Sequence, residues 1–347
     1  MKLRFLRDLP LLLLMLTLGV SVLVLIVRLV GASPFAVAKA LWDGAFGSPY
    51  SLSETLVQTC PLLLTGLGVA VAFRSGLFNI GAEGQFLVGA MAAAWAGTRA
   101  DVPVPLHLPL VMLAGATAGG LWAGIAGLLK VYRGVQEVLS TLLLNFVALQ
   151  TLSWMVRGPL QEAAKGFPQS DAIGVPARLV LLVPHTRLHT GVLLALFCAA
   201  LVWFLLTWTV GGFALRVVGS GEKAAEAAGI PVRRTVLLTF FLSGALSGLA
   251  GAIQISGVTY LLSDSYSPGY GYTAIAVALL ANLSPLAVIP SALFFGALTA
   301  GSNVVQQRIT GIPSVVVQVL QAIVLLSFLG YAWAREQRLR REAGGAQ

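Results

Sequence analysis

Long apolar runs separated by short polar stretches dominate the chain, and the runs are continuous, with no residue-by-residue alternation. A helix needs about 20 apolar residues to cross a bilayer. A membrane β-barrel would instead show alternating segments of about 10 residues. The runs predict ten spans, at 9–30, 56–73, 80–97, 106–129, 138–156, 190–210, 235–257, 270–281, 286–305 and 313–333. The eighth is short for a full crossing, and the ninth carries Pro290. After the first span, residues 34–46 read as a short interfacial helix. Ser33 is its expected cap, Pro34 suits the first helical position, and Gly47-Ser48-Pro49 ends it. The expected fold is an all-α polytopic membrane protein of about ten transmembrane helices, one domain over 1–347.

Two polar interruptions change this picture. Residues 73–89 read F-R-S-G-L-F-N-I-G-A-E-G-Q-F-L-V-G, setting Arg74, Asn79, Glu83 and Gln85 among four glycines. Ionisable groups are costly in lipid, and irregular backbone survives there only where protein or a cavity satisfies it. The stretch therefore predicts a broken or re-entrant helix lining a pathway. A second interruption, S-D-S-Y-S-P-G-Y-G-Y, covers 263–272. The first falls between spans two and three, the second between seven and eight. Such placement fits two inverted five-helix halves, about 1–157 and 189–333, with the pathway where they meet.

The candidate pathway residues are Asn79, Glu83, Gln85 and Asn145 in the first half, and Tyr266, Tyr270, Tyr272 and Asn282 in the second. Amides and aromatic faces suit a nucleoside or sugar, by hydrogen bonding and stacking. The plainer alternative is that Asn145 and Asn282 join helices and the tyrosines anchor at the interface. For Glu83, support of the broken segment is expected ahead of direct solute contact, with Arg74 folding back as its partner.

Composition agrees with a membrane protein: 57% hydrophobic, 10% charged, mean hydropathy +0.88, against roughly 25% charged residues in soluble domains. The net charge of +9 comes from scattered residues with no basic helix, so no nucleic-acid partner is expected. With both termini cytoplasmic, fourteen of the 22 basic residues fall inside, as topology demands. Cys60 and Cys198 lie in apolar runs, and the histidines make no H-E-x-x-H pattern. No phosphate-binding loop, nucleophile–base set or metal spacing is present, so neither cofactor nor enzymatic activity is expected.

Residues 211–231, G-G-F-A-L-R-V-V-G-S-G-E-K-A-A-E-A-A-G-I-P, predict a short cytoplasmic helix. Ser220 is its expected cap, Glu222, Lys223, Ala225 and Glu226 its body, and Gly229 its left-handed stop. The segment G-S-G-E-K-A-A-E-A-A-G-I resembles the coupling loop of ABC-importer permeases. G-L-F-N-I-G-A-E-G-Q-F resembles the signature of the permeases for simple sugars, nucleosides and branched-chain amino acids. Residues 135–149 and 311–321 are similar to that family too, and the GAEGQ form is nearest the longer permease of nucleoside-type importers. The resemblance implies a multi-pass subunit of the plasma (inner) membrane, a second permease in a heterodimer, a cytosolic ATPase subunit and an extracytoplasmic solute-binding protein. Gln136 stands where the family often has Asn. An ion-driven secondary transporter is the alternative class.

Overall fold

The computed structural model describes residues 14, 17–22, 24–99, 102–264, 266–267, 269–309, 319, 322–323, 326 and 330. The helices are α1 (Thr17–Leu29), α2 (Pro34–Phe46), α3 (Pro49–Arg74), α4 (Ala82–Gly97), α5 (Val104–Arg133), α6 (Glu137–Arg157), α7 (Gly191–Trp208), α8 (Val210–Ser220), α9 (Glu222–Ala227), α10 (Val232–Gln254), α11 (Tyr270–Leu280) and α12 (Pro285–Arg308). Two isolated bridges are the only β pairing among the described residues.

Among the described residues, six helices are long and apolar enough to cross a membrane: α3, α5, α6, α7, α10 with its continuation to Thr259, and α12. The expected spans at 80–97 and 270–281 are the shorter helices α4 and α11, of 16 and 11 residues. The tenth span, 313–333, lies outside the described residues apart from isolated positions. Helix α2 occupies the expected 34–46, but Ser33 makes no capping bond, and Pro34 opens the helix unaided.

Two compact units divide the chain. One comprises Met1–Thr55 with Ala297–Gln347, the other Leu56–Gly296. In the first, Val27, Val37, Ala40 and Val305 form the core, and Arg308 pairs with Asp43 at 3.1 Å.

In the second, α4, α5 and α10 cross through small residues. A Cβ added to Gly119 of α5 would lie 2.6 Å from the Gly248 Cα of α10, and one on Gly115 would lie 2.6 Å from the Ala252 Cβ. A Cβ on Gly89 of α4 would overlap the Gly248 backbone. Lipid tails are as apolar as leucine, so helices associate in a bilayer by close packing, which small residues permit.

Beyond Gln254, α10 loosens into a π-turn, Ile255–Thr259, and ends at Tyr260 with φ +60°. The 158–190 loop is pinned to this end. Ile173 N–H donates to the Tyr260 carbonyl at 2.8 Å, and Leu179 N–H to that of Ser256 at 2.9 Å. The Arg178 guanidinium sits 4.6 Å from the Tyr260 ring centroid. Glu162 orders the loop's middle by accepting from Gln169 Nε2 and the N–H groups of Phe167 and Gly166, which hold its carboxyl below the usual range. His189 is fully enclosed, and burial pushes its imidazole down to about 4, so it is neutral.

Gly248→Leu is expected to force α4, α5 and α10 apart, at a cost of about 1–3 kcal/mol. Thermal unfolding of the detergent-solubilised chain checks this. A melting temperature equal to wild type would contradict the packing described.

Candidate functional site

The first break starts as a helix stop. Gly76 has φ +72°, Leu77 N–H donates to the Ala72 carbonyl, and Gly76 N–H donates to that of Phe73, both at 3.0 Å. This is the glycine-terminated stop that ends many helices. The chain then runs irregularly to Gly81 before α4 begins.

Side chains of α6 replace the missing helical bonds. Asn145 Oδ1 accepts Gly84 N–H at 2.8 Å, and its Nδ2 donates to the Ile80 carbonyl at 2.9 Å. Thr141 Oγ1 accepts Ile80 N–H at 3.2 Å. Each unmet backbone group would cost several kcal/mol in lipid. Thr141 and Asn145 stand four apart, so one face of α6 serves the break.

Asn79 is the knot at its centre. Its Nδ2 donates to Gln85 Oε1 at 3.0 Å and Ser243 Oγ at 2.8 Å, while its Oδ1 accepts from Gly81 N–H and Gln85 Nε2, both at 2.9 Å. An amide has two donor hydrogens and two acceptor lone pairs. All four are engaged, leaving no capacity for a solute.

Glu83 joins the two interruptions. Its side chain is 2% exposed. Oε1 accepts Ser267 Oγ–H at 3.1 Å and Gly269 N–H at 3.0 Å, and Oε2 accepts Gly271 N–H at 2.7 Å. The carboxylate belongs to the first turn of α4 and simultaneously caps the first turn of α11. A Cβ on Gly271 would overlap the Glu83 backbone, so glycine is required for this approach.

The expected Arg74 partner is not used. Arg74 is exposed at the end of α3, and its guanidinium reaches the Leu283 carbonyl at 3.5 Å. Backbone N–H groups at a helix start satisfy the carboxylate instead, a solution that residue types alone do not reveal.

Of the second-half candidates, Tyr270 donates its hydroxyl to Gln58 Oε1 at 2.5 Å and sets its ring edge against Phe86. Tyr266 stacks on Phe86. Tyr272, in the first turn of α11, is about half exposed. Asn282 stands apart: it is exposed, has φ +47°, and lies in the turn beyond α11 beside Leu283. Seven of the eight candidates thus gather around one break. The buried Gln58, Ser243 and Thr141 and the exposed Ser267 join them unannounced, because serine, threonine and glutamine are common in apolar helices and loops.

The family model described as branched-chain amino acid transport system / permease component matches residues 51–329. The chain belongs to this permease family. It is 38% identical to the guanosine ABC transporter permease protein NupP of Bacillus subtilis, over 91% of each chain. It is 37% identical to the glucose ABC transporter permease protein TsgB13 of Haloferax volcanii, over 84% of this chain and 79% of that one. The nucleoside ABC transporter permease protein NupB of Lactococcus lactis is 33% identical, over 85% of this chain and 83% of that one.

In this multi-pass membrane permease, residues 211–231 form two helices, α8 and α9. Ser220 ends α8, donating back to the Arg216 carbonyl at 3.0 Å, so it does not cap α9. Gly221, with φ 163° and ψ 120°, starts α9 in extended backbone. Gly229 adopts the expected left-handed stop at φ +75°. Ala225 is fully buried in a cluster with Leu77, Ala126, Val218 and Phe240. It is therefore a core residue, whereas Glu222, Lys223 and Glu226 are exposed. The end of α8 touches the first break directly, since a Cβ on Gly76 would lie 3.3 Å from the Gly219 Cα. Gln136 precedes α6 without a side-chain cap bond, a position that a shorter Asn fills well.

Glu83→Leu is expected to strip three donors of their acceptor and cost about 1–3 kcal/mol for each group left buried and unpaired. Glu83→Gln, which keeps shape and accepts at one oxygen, should retain near-normal amounts of protein in the membrane with reduced transport. Quantifying both variants in membranes checks this. Wild-type yield and uptake in Glu83→Leu would refute the role given to the carboxylate.

Proposed function

We propose that the chain is one permease half of an ATP-driven importer whose solutes are nucleosides. The observation that carries this reading is the identity with the guanosine permease along nearly the whole of both chains. ATP hydrolysis would reside in a cytosolic ATPase subunit, since this chain offers no phosphate-binding loop. A second, related permease would complete a heterodimer, and an extracytoplasmic binding protein would deliver the solute.

Asn79, Gln85 and Asn145 would hold the pathway wall, and Tyr266 and Tyr272 would face the solute. The exposed face of α9, carrying Glu222, Lys223 and Glu226, would receive the ATPase. The two short helices α4 and α11, each following a break, support the inverted-repeat reading. An ion-driven transporter fits less well, because three donors already engage Glu83. Sugar transport is the second reading, favoured by the glucose permease at 37% identity.

Uptake by the complete assembly, with its binding protein, decides between them. Labelled guanosine should accumulate on ATP addition, and glucose should not. Glu222→Lys should lower ATPase recovery with the permease at least ~3-fold, a typical loss for a rim charge pair of about 0.7 kcal/mol. Ala225→Asp, by contrast, should destabilise the chain itself. Glucose uptake without guanosine uptake would replace the nucleoside reading. Unchanged ATPase recovery in Glu222→Lys would remove α9 from the interface.

Both termini would face the cytoplasm, with residues 74–79 and 130–136 inside and 159–184 outside. Lys130, Arg133, Arg216, Lys223, Arg233 and Arg234 flank the α8–α9 end, which supports this orientation. Single cysteines in a cysteine-free background should react with an impermeant reagent in intact cells only within 159–184. Labelling of 130–136 from outside would invert the topology.

A further inference from the structure

Asn79, Gln85 and Asn145, the amides of the first break, are used at both ends. Asn79 and Gln85 bond each other through oxygen and nitrogen alike. Asn145 gives its Oδ1 to Gly84 N–H and its Nδ2 to the Ile80 carbonyl. Gln58 of α3 differs from all three. Its Oε1 accepts the Tyr270 hydroxyl at 2.5 Å, but its Nε2 donates to no group among the described residues. An amide nitrogen carries two donor hydrogens, so both are left over.

The place makes this informative. Gln58 lies nine residues beyond Pro49, about 14 Å along a helix of 26 residues. Of the six spanning helices α3 is the most enclosed, with 89% of its apolar stretch buried inside the chain. Gln58 itself is 9% exposed, so lipid is not what its amino group faces. Enclosed donors normally have an acceptor, and leaving one unmet is costly. Joining α3 to α11 would need only the oxygen; the amino group serves no purpose in that role.

Tyr270 sets the direction in which the donors point. It opens α11 directly before Gly271, whose N–H is held by Glu83, and its ring edge rests on the fully buried Phe86 of α4. Its hydroxyl draws the Gln58 oxygen toward α11, which turns the two N–H groups away from that helix.

We propose that Gln58 is a specificity-determining residue that donates to an acceptor on the base of the passing nucleoside, with Tyr270 as its positioning residue. Ribose hydroxyls both donate and accept, so any polar wall can serve them. A carbonyl oxygen or ring nitrogen only accepts, and it needs a donor. Guanine carries two such atoms on one edge, O6 and N7. The contact uses the amide as it already stands, with the backbone held by Glu83 left in place. This inference rests on the nucleoside reading above.

The test uses the complete transporter with its binding protein in proteoliposomes. The solutes are guanosine, 2-aminopurine riboside, which lacks O6, and 7-deazaguanosine, which lacks N7. Gln58→Met keeps the length of the side chain and removes the amide. It should lower guanosine uptake about fivefold, the effect of one lost hydrogen bond. Uptake of at least one analogue, the one missing the acceptor that is read, should change less than about twofold. Tyr270→Phe leaves the amide present but unheld, and should lower guanosine uptake about threefold with the same ordering of solutes. Equal losses for all three solutes in Gln58→Met would assign the residue to packing and overturn the proposal. So would wild-type uptake of all three. If Gln58→Met is absent from the membrane, the ordering of solutes in Tyr270→Phe decides by the same criteria. A wild-type transporter that carries none of the three overturns the nucleoside reading, and this inference falls with it.

Discussion

One side chain, carried in the first turn of α4, caps the start of α11. A helix N-terminus carries about half a positive charge, concentrated on N–H groups that lack intrahelical partners. Helices α4 and α11 begin at the same place, and Glu83 lies in the first turn of one while accepting N–H groups at the start of the other. Two such termini would repel each other in a medium of low dielectric. The Glu83 side chain, carried on α4, fills the hydrogen bonds that the Gly269 and Gly271 N–H groups at the start of α11 would otherwise leave vacant. The close approach of Gly271 to the Glu83 backbone is where one of these hydrogen bonds forms.

Around that junction the irregular backbone is enclosed by side chains from other elements. Asn79 uses its whole hydrogen-bonding capacity, and Asn145 takes the place of a neighbouring helical turn. The glycine contacts among α4, α5 and α10 bring the helices near enough for these short side chains to reach. Close packing and polar satisfaction meet at the Asn79–Ser243 bond, which loosening α10 would lengthen.

Much of this was legible from residue order. Apolar run length located the six helices long enough to span among the described residues but counted the short α4 and α11 as crossings too, and the two polar interruptions marked the breaks. Glycine and proline spacing located α2 and the stop at Gly229. What could not be read was which partner each polar group would find. Arg74 is nearer in sequence to Glu83 than Gly269 is, but helix starts supply donors that carry no signature in residue type. Ala225 sits in an alanine-rich surface sequence, and the turn at Gly221, rather than a cap at Ser220, rotates it inward. Asn282, at the edge of the expected span 270–281, falls in the exposed turn just beyond α11.

The meeting of Gly76 with Gly219 bears on how movement would travel through the molecule. Most helix contacts pass through side chains, whose rotamers can shift and absorb a displacement of a few tenths of an ångström. Here main chain rests on main chain, with no rotatable group between. A push on α9, whatever its origin, reaches the end of α8 and then the turn that opens the first break with almost no slack. Enlarging either glycine would break that linkage, because a Cβ on Gly219 would overlap the Arg74 carbonyl oxygen and Gly76 holds φ +72°, so the two segments would have to move apart before anything could pass between them.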